Sequence, residues 1–309
     1  MRRMIDNSRA EILLEALPYI RRFTGKTIVI KFGGAAMASE ELARHFARDI
    51  VLLQHVGIKP VVVHGGGPQI SRLLKELNID SEFVDGHRIT DQAAMDVVEM
   101  VLAGKINKGI VALINNEGGR AAGISGKDGS LALAEPHSLT RKNDAGHTEE
   151  ISLGRVGRIK KDGINPEILQ ALEDNSYVPV IAPVATDSEG NSLNINADTM
   201  AGAVASSLKA EKLILLTDTA GVLVGDETIT GLGPEDVARM KDSGEISGGM
   251  IPKVDCCLQA LYSGVSRTHI IDGRVAHAVL LEIFTDRGVG TLISNDFDKN
   301  RAPASPVAD

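Results

Sequence analysis

Two lysines and three glycine clusters are the residues of this chain that could handle a phosphate. Lys31 closes the apolar run 27–31 and stands directly before Gly33 and Gly34. His64 closes a second apolar run and is followed by Gly65, Gly66 and Gly67. Lys253 comes just after Ser247, Gly248 and Gly249, where a helix is expected to begin. Glycine loops between a strand and a helix present unpaired backbone N–H groups to an anion, and no Cβ keeps the anion away. Each cluster taken alone is equally well a tight turn. Two of them follow consecutive strands, so both face one sheet end, where open α/β sheets bind ligands. The standard phosphate loops are absent. Gly25-Lys26-Thr27 resembles the end of a P-loop, but Ile20 stands where a glycine is needed, and Ile70 breaks a dinucleotide fingerprint after Gly65.

Charged residues near these loops have two readings each. Lys31 in so apolar a strand either neutralises a transferring phosphoryl group or snorkels to water from a sheet edge. Lys253 in a first helical turn works against the helix dipole, which makes sense if both act on one anion; otherwise it is a surface lysine. Arg88 offers a planar fork for a carboxylate, or pairs with Asp85 or Asp91. Asn194, Asn196 and Asp198 precede or open a helix, and two Asn and one Asp are more than one cap needs.

The elements that would position these residues alternate. Helical spacing of Ile12, Leu13, Leu17 and Ile20 predicts a separate helix over 1–23. Strands are expected at 27–31, 60–64, 179–183, 212–217, 268–271 and 291–294. Helices are expected at 40–56, from Pro68, over 91–116 with a break near Gly104, and at 199–208, 233–241, 250–262 and 275–281. Segments 81–90 and 121–160 read as hairpins attached to the sheet. Alternation of this kind predicts a mainly parallel sheet covered on both faces.

Composition excludes other classes. With 43% hydrophobic and 24% charged residues the chain is an ordinary globular protein, and its net charge of -8 carries no basic stripe for nucleic acid. Cys256 and Cys257 are adjacent and are the only two cysteines, so neither a disulfide framework nor a zinc site is expected, and a reducing, cytoplasmic setting fits. No apolar run reaches the ~20 residues of a membrane span.

Lys31-Phe32-Gly33-Gly34, His64-Gly65-Gly66-Gly67-Pro68, Gly86-His87-Arg88 and Thr217-Asp218, in that order, resemble the amino acid kinase family. Asn194-Ile195-Asn196-Ala197-Asp198 and Gly248-Gly249-Met250-Ile251-Pro252-Lys253 look like its members that phosphorylate the side-chain carboxylate of N-acetyl-L-glutamate. The resemblance runs from residue 26 to 294. It implies an open αβα sandwich with a mainly parallel central sheet, in two lobes plus an N-terminal helix: 1–25 for oligomerisation, 26–210 for the amino-acid substrate and the dimer, 211–296 for ATP, with 297–309 a disordered tail. It further implies Lys31, Lys253 and Asp198 as catalytic, Asp198 positioning the two lysines. Gly34, Gly66, Gly67, Arg88 and Asn194 would bind the substrate. Gly33, Thr217, Asp218, Gly221, Ser247 and Gly249 would meet ATP, which brings Mg²⁺. Residues 1–25 resemble the extra helix of arginine-inhibited hexamers, trimers of dimers, in which Tyr19, Lys212, His269, Glu282 and Gly288 would line the L-arginine pocket. Some relatives also bind a PII signalling protein.

The implied acceptor is a carboxylate with a pKa of about 4.3, already ionised at neutral pH, so no general base is required. The task is to bring an anion to a polyanion, which lysines, Mg²⁺ and backbone donors do by charge and in-line positioning. Two alternatives stand beside this reading: a related kinase of an aminoadipate derivative or another carboxylate, and a non-catalytic arginine sensor.

Overall fold

The computed structural model describes residues 8–84, 87–142, 148–285 and 288–297. Helix α1 (Ser8–Phe23) leads into β1 (Thr27–Phe32), a run of β-branched residues buried along nearly its whole length. A short turn of helix, α2 (Ala35–Ala38), precedes α3 (Glu40–His55), whose cap Ser39 accepts from the Leu42 N–H. Strand β2 (Lys59–His64) then lies parallel to β1, as a crossover through a helix requires. Helix α4 (Gly67–Glu76) starts with Pro68 in its first turn, where a missing N–H costs nothing. A small hairpin follows, β3 (Phe83–Val84) and β4 (His87–Arg88); its turn at Asp85 and Gly86 lies outside the described residues.

Helix α5 (Gln92–Glu99), capped by Asp91, continues through a π-helical turn, Met100–Ile106, into α6 (Asn107–Asn116). The break expected near Gly104 is therefore a widened turn within one continuous helical stretch. Then come β5 (Ala121–Ser125), the long pair β6 (Ala132–Lys142) and β7 (Thr148–Ile164), α7 (Glu167–Asp174), β8 (Val178–Ala182), β9 (Val184–Thr186) and β10 (Ser192–Ile195). The hairpin expectation for 121–160 fails at its start. Residues 121–125 form an edge strand of the central sheet, parallel to β8, and its small, half-buried middle residues suit that edge. Strands β6, β7, β9 and β10 close into a small barrel.

Helix α8 (Ala197–Ser207) returns to the sheet at β11 (Lys212–Thr217). A short hairpin, β12 (Leu223–Val224) with β13 (Glu227–Thr228), precedes β14 (Gly231–Leu232), α9 (Pro234–Asp242), a 3-10 turn Gly248–Met250 and α10 (Ile251–Tyr262). Strand β15 (Arg267–Asp272), α11 (Ala278–Phe284) and β16 (Gly290–Ile293) complete the order. Helix α11 begins later than expected because His277 adopts a left-handed conformation, φ 59°, at its start. Residues 298–309 of the expected tail lie outside the described residues, while Phe297 stacks its ring where a Cβ on Gly231 would be.

The central sheet has the order β14-β16-β15-β11-β1-β2-β8-β5. All pairs from β15 to β5 are parallel; β16 runs antiparallel to β15. One core layer joins Ile28, Ile30 and Phe32 of β1 to Ile214, Leu216 and Ile271, under α3, α5, α6 and α11. The other joins Val29, Val61, Val63, Leu213 and Leu215 to residues of α8 and α10. Each buried Val or Leu side chain contributes about 1.5–3 kcal/mol relative to exposure. The β order reverses between β1 and β11: the chain builds outward through β2 and β8 and then returns to the opposite flank of β1. Crevices at such a reversal, at the carboxyl ends of the strands, are where open α/β sheets bind ligands. No described helix is long and apolar enough to cross a membrane.

Candidate active site

Lys31 lies one residue from the carboxyl end of β1, paired in register with Leu215 of β11 and Val63 of β2. Its side chain folds back over the glycine turn, so that a Cβ on Gly33 would sit 2.8 Å from Nζ. Glycine at 33 is therefore what lets the ammonium lie there. Gly34 has φ 64°, and a Cβ on it would face the backbone N of Asp218 at 3.6 Å. The loop after β1 thus touches the loop after β11. On its other side, the Gly65 N–H donates to the Phe32 carbonyl at 2.9 Å, tying the loop after β2 to the same edge.

Asp198 enters this edge from below. Asn196 caps α8 by accepting from the N–H groups of Asp198 (2.8 Å) and Thr199 (3.1 Å). This orders the first turn and leaves the Asp198 carboxylate free for side-chain partners. One of its oxygens, Oδ1, is 3.2 Å from Lys31 Nζ; the other accepts from Lys253 Nζ at 2.7 Å. All three side chains are largely buried, at 10%, 7% and 18% exposure for Lys31, Asp198 and Lys253. Burial works against ionisation of Asp198, but the two ammonium groups outweigh it and hold its carboxyl below the usual aspartate range. A buried carboxylate bridging two cations is a triad with net charge +1, which suits a further anion.

Beside this triad a cleft of about 350 Å³ is lined by Thr217, Asp218, Gly221, Ser247, Gly249 and Lys253. Five residues expected to meet a nucleotide therefore converge with one of the lysines, and the sixth, Gly33, lies against the other. Gly221 has φ 135° and no room for a Cβ, since Thr291 Oγ1 would be 2.6 Å away.

The opposite side of β1 carries different groups. The Arg88 guanidinium donates to Ser71 Oγ (2.6 Å), to Ser81 Oγ and to the Gly67 carbonyl (3.3 Å), and lies 4.5 Å over the Phe83 ring. It is 7% exposed, and no carboxylate among the described residues pairs with it. Asp91, one of its two expected partners, is occupied as the cap of α5, and Asp85 lies outside the described residues. A buried guanidinium with neutral partners alone has unused capacity for an anion. Gly66 carries the π-helical turn close above it: a Cβ there would meet Ile106 Cδ1 at 2.5 Å and Leu102 Cδ2 at 2.6 Å. Asn194 lies half-buried on β10, paired with Val156 and Val184, two residues before the α8 cap.

A second constellation lies on one face of the sheet, away from the carboxyl edge. Lys212 starts β11, His269 lies in β15 and Glu282 on α11. His269 Nδ1 is 2.6 Å from Glu282 Oε1, the Val289 N–H donates to Glu282 Oε2 at 3.0 Å, and Lys212 Nζ reaches the Glu282 carbonyl at 3.5 Å. Gly288, φ 61°, closes over the carboxylate, where a Cβ would be 2.8 Å from Oε2. Burial pushes the Lys212 ammonium down to about 8 despite Glu282. Burial lowers His269 despite Glu282, while His269, the Val289 N–H and Lys212 together overcome desolvation and hold Glu282 below the usual glutamate range. Tyr19, the fifth residue of this set, packs half-buried against the same core layer from α1.

Sequence reasoning missed several supports. Ser71 and Ser81, which hold Arg88, had no signal beyond being hydroxyls. Asn107 is buried and donates to the Val180 carbonyl at 2.8 Å, with its amide 3.3 Å from His64 Nε2. Burial takes His64 down to about 4, so it is a neutral strut. An asparagine within the apolar stripe of a helix was the available clue.

The model of the amino acid kinase family matches residues 26–272. An acetylglutamate kinase of Leptospira biflexa is 56% identical over 281 residues, covering 91% of this chain and 96% of that protein. An acetylglutamate kinase of Acinetobacter baumannii is 54% identical over 288 residues, covering 93% and 95%. Among solved structures, N-acetylglutamate synthase from Neisseria gonorrhoeae, complexed with coenzyme A and N-acetyl-glutamate, superposes with a TM-score of 0.79 at 25% identity. That match covers 94% of this chain, which spans 64% of the synthase.

Proposed function

The chain belongs to the amino acid kinase family, and we propose that it transfers the γ-phosphoryl group of ATP to the side-chain carboxylate of N-acetyl-L-glutamate. The product is N-acetyl-L-glutamyl 5-phosphate, an intermediate of arginine biosynthesis, and the setting is the cytoplasm. Two acetylglutamate kinases at 54–56% identity over more than nine-tenths of the chain support the substrate and reaction. The single observation that carries the chemistry is the Lys31–Asp198–Lys253 triad at the reversal point of the sheet, between the cleft at Thr217 and the cradle of Arg88.

ATP, entering with its Mg²⁺, occupies the cleft along Thr217, Asp218, Gly221, Ser247 and Gly249, with Gly33 beside it. The acceptor lies across β1, its α-carboxylate on Arg88 and its side chain toward Gly34, Gly66 and Gly67, with Asn194 closing from β10. The acceptor carboxylate oxygen attacks the γ-phosphorus, the bond to the β,γ-bridging oxygen breaks, and ADP leaves with that electron pair. No proton moves, because the acceptor is already ionised. Lys31 and Lys253 neutralise the charge that spreads over the transferring group, and Asp198 keeps the two ammonium groups at fixed spacing.

The Lys212, His269, Glu282 and Gly288 cluster, with Tyr19 on α1 nearby, supports L-arginine as an effector. Its guanidinium would take the Glu282 carboxylate as partner. Leu13 and Leu14, 72% and 64% exposed on α1, support a second copy of this helix as a partner in a hexamer.

Incubation with Mg-ATP, N-acetyl-L-glutamate and hydroxylamine tests the reading, because an acyl phosphate is captured as hydroxamate. Hydroxamate that depends on N-acetyl-L-glutamate is expected. Folded, ATP-binding protein that makes hydroxamate only from another carboxylate would overturn the substrate assignment.

A further inference from the structure

Asp198 and Lys253 come from different helices, so their contact is only as well defined as the way α8 and α10 cross. One helical turn along, a second contact joins the same two helices. Gly202 is four residues after Asp198, and Cys256 three after Lys253, so each pair shares a helix face. A Cβ added to Gly202 would meet Cys256 Sγ at 2.6 Å. The Cys256 thiol, 6% exposed, donates to the Asp198 carbonyl at 2.9 Å. The two helices therefore touch in successive rungs, Lys253–Asp198 and Cys256–Gly202. The second rung is bolted to the backbone of the residue that makes the first.

Gly202 stands in the middle of a helix, where glycine costs about 1 kcal/mol against alanine. Glycine there is explained by the close approach it permits. Lys253 sits in the first turn of α10, directly after the 3-10 turn Gly248–Met250. It depends on the crossing, rather than on its own turn, for its distance to Asp198.

We propose that the Gly202–Cys256 contact sets the spacing of Lys253 from Asp198, and that these two residues are positioning residues for phosphoryl transfer. This rests on the kinase reading above. A methyl at 202 would overlap Sγ and drive α10 away from α8, which loosens the first rung. Removing Sγ at the same time gives the methyl a place to go, because it fills the volume the thiol left.

The test compares wild type, Gly202→Ala, Cys256→Ala and the double variant by steady-state kinetics and crystallography. Gly202→Ala is expected to lower kcat by roughly ten- to a hundredfold, the scale of a sub-ångström to 1 Å misplacement. Its KM values for ATP and for N-acetyl-L-glutamate should stay near wild type. The double variant should recover most of that kcat. A purely structural contact would lower the thermal midpoint without this split between kcat and KM, and without rescue. Unchanged kcat in Gly202→Ala, or a loss that Cys256→Ala does not repair, would overturn the proposal. The crystal structures decide independently of turnover: the Nζ–Oδ2 distance should lengthen in Gly202→Ala and return in the double variant, and an unchanged distance refutes the idea. Wild-type protein that makes no hydroxamate would instead remove the kinase reading, leaving the spacing result to stand or fall on the crystals.

Discussion

Replacing Asp198 by Asn removes one negative charge and almost no volume, which isolates the role of the bridge. The carboxylate holds two ammonium groups at 3.2 and 2.7 Å. At an effective dielectric of about 20, each contact is worth about 5–6 kcal/mol in gross Coulomb energy, most of it offset by desolvation. An amide keeps one oxygen, so it can still accept from one lysine, and the other ammonium is left facing its neighbour. The lost orientation should appear in turnover at the scale of one lost electrostatic contact, about 3 kcal/mol or roughly a hundredfold in kcat. The KM for ATP should hold or fall, because the site gains a positive charge and triphosphate supplies the missing negative one. The same reasoning predicts that a non-hydrolysable ATP analogue raises the melting temperature of Asp198→Asn by more than that of wild type. Coupled ADP-release kinetics and thermal unfolding with and without the analogue measure both. Near-normal turnover in a folded Asp198→Asn protein would refute the bridge as an orienter. So would a hundredfold rise in the KM for ATP with kcat intact.

Three further outcomes follow from other parts of the molecule. Arg88→Lys replaces a fork held by Ser71, Ser81 and Gly67 with a point charge. The KM for N-acetyl-L-glutamate should rise by about tenfold or more with the KM for ATP unchanged, and parallel rises in both would count against Arg88 as an acceptor contact. His64 is lowered from 6.5 to about 4 on folding, so between those values the unfolded chain binds the proton and the native protein does not. Stability is then lost as pH falls through that window, on the order of 3 kcal/mol for this group. Denaturant midpoints of wild type and His64→Gln should converge as pH drops from 6.5 to 4, and a constant gap would show that His64 is not a buried neutral strut. Leu13→Glu with Leu14→Glu should leave a smaller assembly with intact catalysis, read by light scattering. This is a cleaner cut than deleting residues 1–25, because Phe23 is 2% exposed in the core and lies under Lys212.

The middle of the central sheet was legible because its strands are short apolar runs, and β1, β2 and β15 are each followed by glycine, a pattern that local rules capture. Strands β1, β2, β11 and β15 fall within a residue or two of where the sequence puts them. What failed to read was structure that depends on distant partners. Residues 121–125 have no apolar run of their own and are strand only because β8 offers an edge. The π-helical turn at Met100–Ile106 packs against Gly66, 34 or more residues earlier, a contact that its own helix propensity does not signal. The barrel of β6, β7, β9 and β10 requires closure that no single segment signals. Among candidate site residues, those on the glycine loops could be named because glycine and lysine have few reasons to stand together at a strand end. Ser71 and Ser81 have many ordinary uses, so their types alone could not separate support from surface.

That contrast bears on how the site achieves its geometry. The triad draws Lys31 from β1, Asp198 from α8 and Lys253 from α10, elements separated by more than 160 residues of chain between the first and second. A strand end is rigid, because β1 is flanked by β2 and β11 and fixed in register on both sides. The two helices are not in the sheet and are placed by packing against it and each other. Asp198 therefore serves two purposes. It ties Lys253 of α10 to Lys31 of the strand, and it offsets the repulsion between their two ammonium groups. A second carboxylate would make the site neutral overall and blunt its attraction for triphosphate; none at all would leave two like charges crowded in a half-dry crevice. One acid between two lysines holds the three side chains together while leaving one positive charge uncompensated, which suits a polyanion.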